Sequence, residues 1–332
     1  MNLFVGANDS GKTSVLDALR LFSAPQSPRA WREVARRYDS TLRARSTVDA
    51  IEYVFPRRRG TRETEAITLG GDGADGFRSL VVSLERIEGM RPSRRGAAGD
   101  SEEWMTGQRV TILEKHEPAA APTPQVFDFW PSSLGVGFAS GALGKAEIAT
   151  VPTVQDTFAL AGLLSDNALV DRTILSQVAS VVQGFDSRVT AIQVLAPEGR
   201  RGEIYVDDAT AGLLPLSSFG NGLQRAIGMA TRLVNVTGGM LFIDEIEVGL
   251  HPTALTAVFD WLVKAAHRLD VQIFATTHSL EAVDAILAGD LTPEDDTVAY
   301  RLTRDDTGAT HVKRFGESTL RRLRGDRGLD VR

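Results

Sequence analysis

Gly6-Ala7-Asn8-Asp9-Ser10-Gly11-Lys12-Thr13 is the most informative segment of the chain. It satisfies the pattern Gly-x-x-x-x-Gly-Lys-Ser/Thr without deviation. Immediately before it stands the short β-type run Leu3-Phe4-Val5. Immediately after it, Ser14 to Phe22 places Val15, Leu16, Leu19 and Phe22 on one face of a predicted helix. A strand, a glycine loop and a helix in this order form a cradle for phosphate. Gly6 and Gly11 let the backbone N–H groups from Asn8, Asp9 and Ser10 through Lys12, Thr13 and Ser14 wrap anionic oxygens, and the helix start adds a positive dipole. Lys12 reaches the β and γ oxygens of a nucleotide, and the Thr13 hydroxyl completes a Mg²⁺ shell. The bland alternative is a glycine turn with an exposed lysine, and it leaves the flanking strand and helix without a reason.

Working outward, Met240-Leu241-Phe242-Ile243-Asp244-Glu245 is an apolar strand ending in two carboxylates. At the C-terminal edge of a parallel sheet, Asp244 can hold Mg²⁺ and Glu245 can orient an attacking water as general base. Alone, the string reads equally well as a strand end solvated by acids. A second apolar strand, Val271 to Thr276, runs into Thr277-His278-Ser279, placing His278 at the same edge, where it can contact a γ-phosphate. A lone histidine is more often structural. Ser217-Ser218-Phe219-Gly220-Asn221-Gly222 opens a helix-length segment ending near Val236 and can present free N–H groups to an anion, with Ser217 or Ser218 as an ordinary N-cap the simpler reading.

Composition sets the bounds. The chain has 332 residues, 42% of them apolar, enough for one large or two modest cores. It has no cysteine, which excludes disulfides and thiolate metal sites. No apolar run approaches the roughly 20 residues that cross a bilayer, and no signal peptide is evident, so the expected setting is the cytoplasm without a membrane partner. The net charge of −6 does not attract nucleic acid, although arginines cluster at Arg29–Arg45, Arg57–Arg59, Arg91–Arg95 and Arg321–Arg327.

In order along the chain, these elements resemble an ABC-type ATPase head: Walker A at Gly6–Thr13, a signature loop whose Asn221 lies 23 residues before Asp244, Walker B at Asp244 and Glu245, and a switch histidine, His278, 34 residues after Asp244. With Glu247-Val248-Gly249-Leu250-His251-Pro252 at the D-loop position, Phe-Gly-Asn-Gly-Leu-Gln-Arg and Thr-Thr-His-Ser, the chain is similar to the OLD (overcoming lysogenization defect) group. The resemblance implies an α/β P-loop NTPase of the ABC-head type: a mixed parallel sheet with an antiparallel β-subdomain and a helical subdomain. It implies ATP and Mg²⁺ as cofactors and a homodimer or higher oligomer closed around two nucleotides. Glu245 and His278 become the catalytic residues, Thr13 and Asp244 the metal ligands, and Ser218, Gly220, Asn221 and Gly222 the contacts to the partner's nucleotide. The signature departs from Leu-Ser-Gly-Gly-Gln, and Gln155 is the candidate Q-loop residue.

Such proteins often carry a C-terminal Toprim nuclease, but only 45 residues follow Leu287, too few for one. They usually have one or two strands ahead of the Walker A strand, whereas this chain begins two residues before that strand's Leu3, so a misplaced start or a trimmed N-terminus is expected. The implied function is an ATPase subunit that senses or gates a separate effector in anti-phage defence; the alternative is an SMC-like head acting on DNA directly. The expected organisation is an ATPase lobe over 1–150 with flexible insertions at 90–125, a helical and β insertion over 151–210, and a C-terminal lobe over 211–332. Within the first lobe, Val48–Phe55, Ala66–Leu69, Leu80–Leu84 and Arg109–Leu113 read as strands, with Gly89–Gly107 as a mobile connector.

Overall fold

The computed structural model describes residues 1–39, 47–57, 64–73, 76–90, 104–117, 124–130, 148–151, 157–171, 173–196, 202–289, 297–326 and 328–331. They form two compact units: Met1–Leu16 with Gly144–Arg332, and Asp17–Leu143. This division departs from the expected boundaries at 150 and 210. The Walker A strand is parallel-paired on both sides with strands from the C-terminal half, so it groups with them.

The first unit is built on strands β1 (Asn2–Val5), β6 (Ile148–Val151), β10 (Met240–Ile243), β11 (Gln272–Thr277), β12 (Val298–Arg304) and β13 (Thr310–Gly316), in the order β13-β12-β1-β11-β10-β6. All neighbours run parallel except β12 and β13, which form an antiparallel hairpin. Both faces of the central strands are covered, which is why they read as unbroken apolar runs. On one face Leu3, Val5, Leu241, Ile243, Ile273 and Ala275 join a continuous core. On the other, Phe242 stacks on Phe274 and Phe4 on Tyr300, at 5.3 and 5.4 Å. That core also takes in α4 (Thr157–Val170), α5 (Ile174–Gln183), α6 (Asn221–Asn235), α7 (Leu255–Arg268) and α8 (Leu280–Ala288). A small antiparallel sheet of β7 (Val189–Leu195), β8 (Glu203–Asp208) and β9 (Gly212–Pro215) packs with α4 and α5, and α9 (Glu317–Arg321) follows the hairpin.

The second unit carries α2 (Pro28–Asp39), α3 (Thr47–Ile51) and a four-stranded antiparallel sheet: β2 (Ile67–Gly73), β3 (Gly76–Met90), β4 (Trp104–Glu117) and β5 (Gln125–Phe129). The expected antiparallel β-subdomain is present, with one element changed. Val48–Phe55 is α3 followed by a 3-10 turn, Glu52–Val54, because the buried Val48, Ile51 and Phe55 recur at intervals of three and four, the helical period. The connector expected over Gly89–Gly107 is shorter. β3 and β4 remain in register to Met90 opposite Trp104, and residues 91–103 lie outside the described residues.

The helix after the phosphate loop is α1 (Lys12–Ser23). Its buried residues are Lys12, Leu16, Asp17, Arg20 and Leu21, whereas Val15, Leu19 and Phe22 are only half-buried. The predicted apolar face is therefore rotated. An Arg20 Nη1–Asp17 Oδ1 ion pair of 3.0 Å lets two charged side chains go inside. No helix among the described residues is long and apolar enough to cross a membrane.

Candidate functional site

The parallel order puts the C-terminal ends of β1, β11 and β10 side by side, and the sequence-predicted groups of all three strands meet there. At the end of β1 the chain turns through Gly6, Asp9 and Gly11 at φ values of +154°, +62° and +91°. A Cβ on Gly6 would stand 2.5 Å from the Leu302 carbonyl oxygen and 2.7 Å from Ser10 Oγ, so this position admits glycine alone. The loop closes through Ser10 N–H donating to the Ala7 carbonyl at 3.3 Å, and Val15 N–H to the Gly11 carbonyl at 3.0 Å starts α1. Asn8, Asp9 and Ser14 are exposed, while Ser10 is buried and its Oγ has no hydrogen-bond partner among the described residues. Lys12 lies folded over the loop, its Nζ donating to the Gly6 and Ala7 carbonyls at 2.8 and 2.7 Å. Burial holds its pKa below the ordinary lysine value, against the opposing pull of Asp244, Glu245, Glu247 and Asp9.

Thr13 is tied directly to the end of β10. Its hydroxyl donates to Asp244 Oδ1 at 3.2 Å, and the same oxygen accepts from the hydroxyl of fully buried Thr276, on β11, at 2.5 Å. Thr276 Oγ1 in turn accepts the backbone N–H of Glu245 at 2.8 Å, and the Thr276 carbonyl accepts that of Ile246 at 3.0 Å. Glu245 sits at φ +49°, a left-handed turn that takes the chain off the strand with the carboxylate half-exposed. His278 follows β11. Its Nδ1 stands 4.0 Å from Glu245 Oε1 and 3.4 Å from Glu247 Oε1, and Glu247 Oε1 also accepts the His278 backbone N–H at 3.1 Å. Thus Thr13, Asp244, Glu245 and His278 converge.

The signature segment leads into α6. Ser218 belongs to a 3-10 turn, Leu216–Ser218, and the N-cap of α6 is Gly220, without a side-chain hydrogen bond, so neither Ser217 nor Ser218 caps the helix. Ser217, Ser218, Gly220 and Asn221 are exposed, and Gly222 is half-buried. Among the described residues no hydrogen bond joins Ser218, Gly220, Asn221 or Gly222 to Gly6–Ser14. One turn into α6, Arg225 is buried and its pKa is pushed down to about 10 by burial, against the attraction of Glu247 and Glu245. Gln155 lies outside the described residues.

Three residues of this edge escaped the sequence reading: Thr276, Glu247 and Arg225. Each lay inside a string already singled out, but their partners are 31 or more residues away for Thr276 and Glu247, and no local pattern reports such pairings.

Residues 145–284 match a protein-family model described as "AAA domain, putative AbiEii toxin, Type IV TA system". An uncharacterised protein of Methanocaldococcus jannaschii is 37% identical over 69 residues, which is 21% of this chain. The match spans 60% of that protein's length. Among solved structures, the SMC head domain from Thermotoga maritima aligns over 95% of this chain and 89% of its own, at 12% identity and a TM-score of 0.40. An Smc head domain with an extended coiled coil from Pyrococcus furiosus, bound to the C-terminal domain of ScpA, aligns over 98% and 92%, at 11% identity and a TM-score of 0.43. The parallel sheet, the glycine loop after its central strand and the acidic end of β10 make this an α/β P-loop NTPase fold, with an AAA-type match over the segment that carries Asp244, Glu245 and His278.

Proposed function

We propose that the chain binds ATP at Gly6–Ser14 and hydrolyses it, as half of a dimer closed around two nucleotides. The observation that carries this is the hydroxyl–carboxylate chain Thr13–Asp244–Thr276, which joins the phosphate loop to the acidic strand end across the intervening strand. The residues fit the ligands. Gly6 lets the loop turn at φ +154° against the Leu302 carbonyl, the buried Ser10 hydroxyl has an unused hydrogen bond to give, and Lys12 can exchange two carbonyls for phosphate oxygens. Thr13 and Asp244 would hold Mg²⁺, which would supply positive charge to offset that of the phosphates. Glu245 orients the attacking water and takes its proton. His278 touches the γ-phosphate, and Glu247 holds it in place.

The dimer reading is supported by the exposed α6 start, which no side chain caps. Ser218, Gly220, Asn221 and Gly222 would meet the partner's ATP. The motifs' similarity to the OLD group, and the toxin–antitoxin wording of the AAA family description, favour a subunit that senses or gates a separate effector in anti-phage defence.

The test is phosphate release by the purified protein with Mg²⁺-ATP, set beside Glu245→Gln. Losing the base lowers turnover by about 100-fold or more while nucleotide stays bound, and light scattering then shows a stable dimer. A Glu245→Gln protein that turns over as fast as wild type refutes the role of Glu245. Stimulation by duplex DNA at physiological salt would move the reading to an SMC-like head acting on DNA.

A further inference from the structure

The order of strands assigns a direction to the nucleotide, and this inference rests on the ATP site proposed above. On one side of β1 lie β11 and β10, which bring Thr276, His278, Asp244 and Glu245, the groups suited to metal and γ-phosphate. A triphosphate lying on Gly6–Thr13 with its γ end there must send its α end, and so its ribose and base, to the opposite side. That side is occupied by β12. Its register sets Val5 against Arg301, so Leu302, Thr303 and Arg304 continue past the point where β1 gives way to the phosphate loop, and β13 returns beside them.

The hairpin touches the loop itself. The Leu302 carbonyl lies 2.5 Å from where a Gly6 Cβ would be, Thr310 Oγ1 lies 3.3 Å from the corresponding point on Gly11, and the Thr310 hydroxyl donates to the Ser10 carbonyl at 3.4 Å. Its tip is tied together by hydrogen bonds to one carboxylate. Asp305 accepts the Thr307 N–H and hydroxyl at 2.9 and 2.6 Å, the Ala309 N–H at 3.0 Å, and His311 Nε2 at 2.7 Å. Arg304 Nε donates to the Gly308 carbonyl at 3.1 Å, and Nη2 lies 3.3 Å from the Cβ that Gly308 lacks, which lays the exposed guanidinium along the tip.

We propose that the β12–β13 hairpin is the nucleoside wall of the site, with Arg304 stacking its guanidinium face on the purine and Thr310 bracing the wall against the loop. A guanidinium face reads a ring and not its edges, so ATP and GTP are held alike.

Calorimetric binding of ATP and of inorganic tripolyphosphate, which has the phosphates but no nucleoside, tests this with Mg²⁺ present. Arg304→Ala should weaken ATP about fivefold and leave tripolyphosphate within about twofold. Arg304→Lys, which keeps the charge and loses the flat face, should weaken ATP similarly. If wild type binds both ligands and Arg304→Ala leaves ATP unchanged, or weakens both equally, the hairpin proposal is overturned and the phosphate loop stands. If wild type binds neither, the phosphate-loop reading falls and takes the hairpin with it.

Discussion

Adding one methyl group at Gly6 tests the phosphate loop most sharply. In Gly6→Ala the new Cβ would lie 2.5 Å from a backbone oxygen, that of Leu302, and 2.7 Å from Ser10 Oγ. Ser10 can rotate away. Leu302 cannot, because it is paired with Val312 inside the hairpin and its strand is paired with β1. The backbone at φ +154° adds strain of roughly 1–3 kcal/mol for any residue with a side chain, and the overlap adds roughly 1–3 kcal/mol more. A net loss of roughly 3 kcal/mol is a large part of a typical domain's 5–15 kcal/mol. At roughly 2–4 °C per kcal/mol for a domain of this size, the melting midpoint should fall by about 6–12 °C, and ATP affinity should collapse because the loop must open to relieve the clash. Gly162→Ala is the control: it sits in α4 with nothing within 4 Å of its Cβ position, and should raise stability by roughly 0.5–1 kcal/mol. Differential scanning fluorimetry and calorimetric ATP binding read both variants. A Gly6→Ala protein that melts within about 1 °C of wild type and binds ATP normally refutes the geometry argued for the loop.

Thr276→Val removes the hydroxyl between Asp244 and Glu245 and leaves the part-buried Glu245 N–H without its acceptor. Urea unfolding should show a loss of roughly 1–3 kcal/mol, and an unchanged midpoint would contradict the relay. Glu247→Gln keeps an acceptor for the His278 N–H but removes the charge, so kcat should drop about tenfold with KM within about twofold, whereas a change confined to KM would place Glu247 in substrate binding instead. Lys12 gives a pH dependence whose sign is set by its lowered pKa. Between that lowered value and 10.5 the unfolded chain binds the proton more tightly than the folded one, so the stability of the free protein gains from Lys12 as pH rises through this window, while nucleotide affinity, which needs the ammonium, declines. Paired denaturation and binding titrations across alkaline pH check this, and affinity and stability rising together would contradict it.

The phosphate loop, the acidic strand end and the strand-end histidine were legible in the sequence because each is local: glycines where φ is positive, four apolar residues before two acids, an apolar strand before His278. Their order along the chain also announced the α/β sheet. Periodicity failed where two patterns overlap. Val48–Phe55 is rich in β-branched and aromatic residues yet buries them at helical intervals, and the buried face of α1 is set by an Asp17–Arg20 pair that no apolar pattern contains. The four-residue strands β6 and β9 were missed, whereas β1 and β10, equally short, were found because a motif follows each.

The residues alone therefore name the chemistry available: an anion cradle, a lysine, hydroxyls, carboxylates and a histidine. Which of these act on one another depends on the folded sheet. Thr276 joins Asp244 to Glu245, Glu247 holds His278, and Thr310 reaches Ser10 from 300 residues away, because parallel pairing of β10, β11, β1 and β12 and the antiparallel return of β13 bring distant strands to one sheet edge. Side-chain identity is written locally, whereas hydrogen-bond partnership depends on distances that exist only once the sheet has formed.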